Sequence, residues 1–293
     1  MRLPWTHSVL PARPPSRWPG GQKVALWVAV GVETYREEGR TEDILPPGPA
    51  PDLVNISWRD YGNRVGAFRL ISRLTGLGIR PALLLNTDVY DAAPEVIVAA
   101  RDAGAEIVAH GHSNSDCLTE MTTTEEQDYI IACRDKISLA EGQAPGGWSS
   151  PWLQHRPTTL DHLERAGFRY VLDFRLDDQP VWLDAGASEI LAIPYATELN
   201  DSTTAIGRFV TGTDFAEMIA NECDELIEPP GDQAVVMSVV VHSFISGQPF
   251  RLRPLIRALE KMVARKDLWI ATPGEIYAAV LANPDLAAGK GQP

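Results

Sequence analysis

Three apolar runs in this sequence each end on a side chain that can carry a proton or hold a cation. KVALWVAVGV is followed by Glu33, AEIVA by His110, and AVVMSVVV by His242. A carboxylate and two imidazoles are the groups from which acid and base catalysis is commonly built. Other runs end in the same way: ALLL gives Asn86 and Asp88, RYVL gives Asp173 and Asp177, and ILAIPY leads to Glu198 and Asn200. Each has a bland explanation singly, because a strand-terminal Asp or Asn commonly caps the helix that follows. Jointly they describe one ring of polar groups, in which burial can tune a carboxylate and two histidines for proton transfer.

The segment AHGHSNSD adds metal-ligand chemistry in outline. On an extended strand His110 and His112 point to the same side, with Asn114 two residues further. A hydrolytic zinc site uses His and carboxylate ligands and keeps one position open for water. Glu33 and His110 supply two ligands, and Asn114 offers only a weak, neutral third. The cofactor reading is therefore none or a single divalent metal, zinc, on Glu33, His110 and Asn114. Cys117 lies near this segment and reads either as a ligand or nucleophile or as a small buried hydrophobe.

These side chains meet only if their runs are parallel strands ending at one mouth. Val24–Val32, PALLLN, AEIVAH, RYVLDF, ILAIPY, AVVMSVVVH and LWIAT read as about seven buried strands. Helical patterns alternate with them over 63–77, 94–103, 124–140 with Thr124 as N-cap, 158–167, 214–227, 254–265 and 273–281. Such alternation gives a parallel sheet covered by helices, closed into a β/α barrel, with an open doubly wound sheet as the alternative. No GxGxxG follows the first strand; Gly62, Gly66, Gly76 and Gly78 read as turn glycines, which removes a dinucleotide site. Residues 1–22 form a Pro-rich arm, 23–282 the barrel and 283–293 a flexible tail. Residues 36–53, with Pro46, Pro47, Pro49 and Pro51, form an excursion placed to act as a lid.

The chain has 293 residues and a formal net charge of -13, from Lys+Arg 26 against Asp+Glu 39. Such a balance repels phosphate backbones and anionic lipid, which disfavours nucleic acid and membrane partners. No stretch reaches the ~20 apolar residues of a membrane span, and the start lacks a signal-peptide run. Three scattered cysteines fit reduced thiols in a cytoplasm.

The residues also resemble the polysaccharide deacetylase (NodB-type) superfamily, in particular its branch with cofactor-independent-type allantoinase and cyclic imide hydrolases. The likeness spans nearly the whole chain through VALWVAVGVE, SWRDYGNRVGAFRL, AHGHSNSD, GGWSSPW with TTLDHL, LDFRLDDQP, IPYATELND and VVVHSFISGQPFRLR, in that order. It implies a distorted seven-stranded β/α barrel and a homotetramer. Sugar deacetylases of the family carry an Asp-Asp pair where this chain has Val32-Glu33, a second metal histidine where it has Asn114, with His112 as the alternative substitute, and an Arg where it has Ser149. His242 matches the family's late histidine, the general acid toward the leaving nitrogen. Trp58-Arg59-Asp60-Tyr61-Gly62-Asn63 is shared with the small-amide branch.

The expectation is a cytoplasmic hydrolase of a small amide, cyclic imide or ureide. Glu33 activates water or holds a metal that does so, His110 orients this group and His242 protonates the leaving nitrogen. Arg59, Asn63 and Asn86 are assigned to substrate binding, with Asn114, Trp148, Ser150, Glu198 and Asn200; for Arg59 and Asp60 an internal salt bridge is the equal alternative. His162 reads as an exposed helix residue. The rivals are a metal-dependent amino-sugar N-deacetylase and a non-catalytic small-molecule-binding barrel.

Overall fold

The computed structural model describes residues 3–228 and 231–289. Nine strands form one sheet: β1 Val24–Val32, β2 Ala82–Leu85, β3 Glu106–Ala109, β4 Gly147–Trp148, β5 Tyr170–Val171, β6 Val181–Asp184, β7 Glu189–Ala192, β8 Val235–His242 and β9 Leu268–Ile270. Eight follow the order β6-β7-β5-β4-β3-β2-β1-β8, and β9 pairs with β1. Every pairing is parallel except β6 with β7. The sheet curls until its ends are joined by loop backbone, with Val236 N donating to Asp178 O (2.7 Å) and Val240 N to Leu199 O (2.9 Å). The two strands beyond the expected seven are β4, a pair too short to leave a period in sequence, and β6, the antiparallel partner of β7.

Helices cover the outside: α1 Leu53–Tyr61, α2 Ala67–Thr75, α3 Val89–Ala92, α4 Pro94–Asp102, α5 Thr123–Glu141, α6 Thr159–Arg165, α7 Gly212–Ile227, α8 Pro249–Val263 and α9 Pro273–Ala282. Three boundaries differ from expectation. Helix α5 is capped by Thr122, whose side chain accepts from Glu125 N while Glu125 closes a capping box, so Thr124 lies inside the helix. Helix α8 starts at Pro249 and runs through Pro254. The helix expected from Asn63 begins ten residues earlier at Leu53, under the Asp52 cap, and joins α2 through a π-helical turn over Gly62–Gly66. Gly62 and Gly66 are thus helical residues rather than turn glycines.

Side-chain parity in the strands positions the site. In β1, Val24, Leu26, Val28, Val30 and Val32 pack outward with Leu70 and Leu255 from the helices, while Ala25, Trp27 and Ala29 pack inward with Leu84, Tyr170 and Val236. A strand buried on both faces reads as a continuous apolar run, as β1 does. Successive side chains alternate, so the odd-numbered Glu33 continues the inward series. In β8 the inward residues are Val236 and Val240, which sends His242 inward; in β3 Val108 does the same for His110.

Both ends of the described chain pack on this frame. Trp18 in the arm is 1% exposed and donates to Val235 O. Arg13 bonds Asp177 and Gln179, so Asp177 lies beside the start of β8 and not in the polar ring. Of the segment assigned to the tail, Leu286 is buried and Ala288 bridges Val181; residues 290–293 lie outside the described residues.

Candidate active site

Glu33, His110 and His242, distant in the chain, converge at the strand-end mouth, each less than a tenth exposed. Glu33 Oε1 is 3.3 Å from His242 Nε2 and 3.6 Å from His110 Nε2. The other carboxylate oxygen accepts from the Tyr35 hydroxyl at 2.6 Å. Behind His242 stands Asp201, whose Oδ1 is 2.6 Å from Nδ1 and whose carboxylate also takes the backbone N–H groups of His242 and Ser246. His110 Nδ1 is 2.8 Å from Ser149 O. A carbonyl only accepts, so Nδ1 carries a hydrogen, and Nε2 is the nitrogen turned to Glu33.

Burial would raise the Glu33 carboxyl, but His242 and His110 outweigh it and hold the group well below the usual carboxylate range. Burial would likewise lower His242, yet Glu33 and Asp201 hold it well above the ordinary imidazole value. Burial, then Glu33, push the Tyr35 phenol far up, so it remains a donor. The cluster is an ionised carboxylate facing an imidazolium that a second carboxylate holds from behind.

Among the described residues, several buried side-chain atoms without partners gather here: Glu33 Oε1, Glu42 Oε2, Arg59 Nε, Asn63 Oδ1, Ser149 Oγ and Ser243 Oγ. A buried unpaired polar atom costs about 1–3 kcal/mol, so such a concentration marks a surface organised for a polar ligand.

The remaining expected binding residues divide. Asn63 donates to Glu33 O at 2.8 Å and keeps Oδ1 free. Arg59 is buried, but it pairs with Asp43 and donates to Glu42 O, holding the 36–52 excursion down as a strap. Asp60 pairs with Arg64 instead. Asn86 spends both ends of its amide on Thr34 N, Asn114 and His110 O, and so latches three strand ends together. Trp148 is core, its Nε1 donating to Ser150 Oγ, while Ser150 N donates to Asp173. Glu198 points outward, 73% exposed beside Arg208, and Asn200 ties Tyr195 to Ser202. At Trp148, Ser150 and Asn200 the polar atoms are engaged within the fold, and Glu198 faces solvent.

Histidine placement brings two further corrections. Gly111 is left-handed (φ 69), which breaks the strand alternation, so His112 swings away to Thr87 and meets Tyr129 edge-to-face. His162 is buried at 3% exposure and lies 3.1 Å from Glu126. Cys117 is half-buried with Sγ beside Thr119.

The donor set does not fit a three-ligand metal site. Asn114 Oδ1 accepts from Asn86 and its amide nitrogen donates to Tyr35 (3.3 Å), so both ends of this weak, neutral ligand are already engaged. Among the described residues no group of three or more His, Cys, Asp or Glu is arranged to hold a metal.

Three participants escape strand-end reasoning: Tyr35, Asp201 and Glu42. Tyr35 shares the odd parity of Glu33 and could have been found that way. Asp201 opens a π-helical turn (Ser202–Ile206), and Glu42 sits in the strap, where no period exists.

The site is a carboxylate and two histidines at the strand ends of a curled β/α barrel, a fold like that of the NodB-type deacetylases. Residues 56–171 match the polysaccharide deacetylase family model. It is 24% identical over 277 residues to a Schizosaccharomyces pombe protein assigned by name to the polysaccharide deacetylases, covering 89% of this chain and 86% of that one. Its fold is similar to a Pseudomonas aeruginosa PAO1 structure described as a polysaccharide deacetylase (TM-score 0.83, 23% identity, 92% of this chain and 95% of that one). It is also similar to the structure of PuuE allantoinase (TM-score 0.81, 24% identity, 94% and 97%). Likeness at these identities establishes the fold. No helix among the described residues is long and apolar enough to cross a membrane.

Proposed function

We propose that this chain is a hydrolase of a carbon–nitrogen bond other than a peptide bond, acting on a small amide, cyclic imide or ureide. One observation carries the reading: ionised Glu33 lies between the Nε2 atoms of His110 and His242, with Asp201 behind His242. Water held between Glu33 and His110 gives its proton to Glu33 as its oxygen attacks the substrate carbonyl. A tetrahedral centre forms. His242 then passes its Nε2 proton to the nitrogen as the carbon–nitrogen bond breaks, so an amine or amide leaves rather than its anion. Asp201 stabilises the imidazolium before that transfer and holds the ring in place.

The names of the relatives favour one alternative, a metal-dependent amino-sugar N-deacetylase; the engagement of Asn114 with Asn86 and Tyr35 speaks for the metal-free reaction. Three free cysteines suit a cytoplasmic setting, and family likeness supports a homotetramer.

The test is a panel of cyclic imides, ureides, N-acyl amides and chitin oligomers, assayed with and without chelator alongside metal analysis. The expected result is hydrolysis of an imide or ureide that survives chelation. Glu33→Gln should lower kcat by about 10³-fold, within the range for a general base, with an unchanged circular dichroism spectrum. Full activity of that variant overturns the assignment, and turnover restricted to chitin oligomers and lost with chelator establishes the alternative.

A further inference from the structure

The strap between β1 and α1 brings another carboxyl into the site, one for which the hydrolytic scheme has no use. Glu42 as a residue is half-buried, but its Oε2 is shut off from solvent and has no partner. Oε1 accepts from the Ser202 hydroxyl, next to Asp201. The Glu42 carbonyl accepts from Arg59 Nη1 at 3.0 Å, and Asp43 pairs with the same guanidinium, which lies 5.3 Å over the Tyr35 ring. Glu42 is thus fixed from two directions, its side chain by the π-helical turn that carries Ser202 and its backbone by α1. With one oxygen occupied, the other is a preset contact for something else.

We propose that Glu42 determines specificity: its Oε2 hydroxyl donates a hydrogen bond to the second carbonyl oxygen of a substrate whose scissile amide is flanked by another carbonyl, as in a cyclic imide or ureide. The proposal rests on the hydrolase reading and narrows its substrate class. Glu33 and His242 serve the scissile carbonyl and its nitrogen, and a simple amide has no further acceptor to offer. The charges that act on Glu42 are His242, Glu33 and Asp201. Burial first, then Glu33 and Asp201 against the opposing pull of His242, push its carboxyl up to about 7. A neutral acid at that position is a donor, and an anion would repel a carbonyl oxygen.

The experiment measures binding by calorimetry, and turnover in parallel, for succinimide and for the corresponding lactam, which lacks the second carbonyl. The proteins are the wild-type chain, Glu42→Ala and Glu42→Gln, between about pH 6 and pH 8, on either side of the Glu42 transition. Glu42→Ala should weaken succinimide binding roughly tenfold, the loss of about one hydrogen bond, and leave the lactam unchanged. Glu42→Gln, neutral at every pH and still an N–H donor, should keep the affinity and remove the weakening that the wild type shows as pH rises through about 7. Equal succinimide affinity in wild type and Glu42→Ala overturns the proposal, as does an equal loss for both rings or a wild-type chain that binds neither. A wild-type chain that binds succinimide and never hydrolyses it sinks the hydrolase reading instead, and the affinities still decide the role of Glu42.

Discussion

Asp201 is the residue on which the acid half of the chemistry depends. Burial disfavours a charged His242, and the two carboxylates that reverse this act on opposite nitrogens, Glu33 on Nε2 and Asp201 on Nδ1. Asp201→Asn keeps an acceptor of the same shape and removes the charge, so the imidazole value falls and the fraction of imidazolium at neutral pH falls with it. The expected loss in kcat/KM is about 10²–10⁴-fold, and the alkaline limb of the pH–rate profile should move to lower pH. An unmoved limb would sink this role. The sign for stability is also fixed: a histidine raised in the folded state stabilises below its unfolded value of about 6.5, and that contribution is lost as pH rises through the elevated value. Glu33, His110 and His242 were legible as polar ends of apolar strands, because burial and parity leave a signature in sequence. Asp201 had none, since it follows Asn200 in a segment without alternation.

At the scale of elements, the decisive contact is between the π-helical turn of Gly62–Gly66 and the turn after β8. A Cβ on Gly66 would lie 1.8 Å from the Ser243 carbonyl oxygen, one residue beyond His242. Backbone on that side cannot rotate away as a side chain can. Gly66→Ala should therefore cost about 1–3 kcal/mol or more, in the range for overpacking. It should also lower kcat, since an ångström of displacement at a catalytic group costs about 10²-fold. Thermal unfolding and steady-state kinetics read the two effects, and a variant unchanged in both would show that α1 and α2 can retreat without moving His242. The main strands and their alternation with helices are legible in the sequence, but the prolines up to Pro51 read as an irregular excursion to Leu53 and leave the helix to start at Asn63. The Asp52 cap on Asn55 N decided otherwise. Gly62 and Gly66 read as turn glycines in the sequence, because close packing against another turn leaves no trace in local pattern.

For the whole molecule, the arm and the barrel share a buried charged contact far from the chemistry. Arg13, 5% exposed at its side chain, makes two hydrogen bonds to Asp177 and one to Gln179, while Gln179 reaches Ala234 O at the start of β8. The loop carrying these groups also joins the two ends of the sheet through Asp178 and Val236. An arm docked there therefore braces the closure rather than merely covering it. Removing one partner of a buried ion pair leaves the other uncompensated, which costs about 3–5 kcal/mol. Arg13→Ala should lose toward the lower end of that range, because Asp177 keeps 16% exposure and can recover some hydration. Its midpoint in urea should fall accordingly, while kcat measured well below the unfolding transition stays at the wild-type value, since Arg13 makes no contact with Glu33, His110 or His242. A fall in kcat at full native signal would mean that closure at the base sets the geometry at the mouth, and the two ends of the barrel would then have to be treated as one coupled unit.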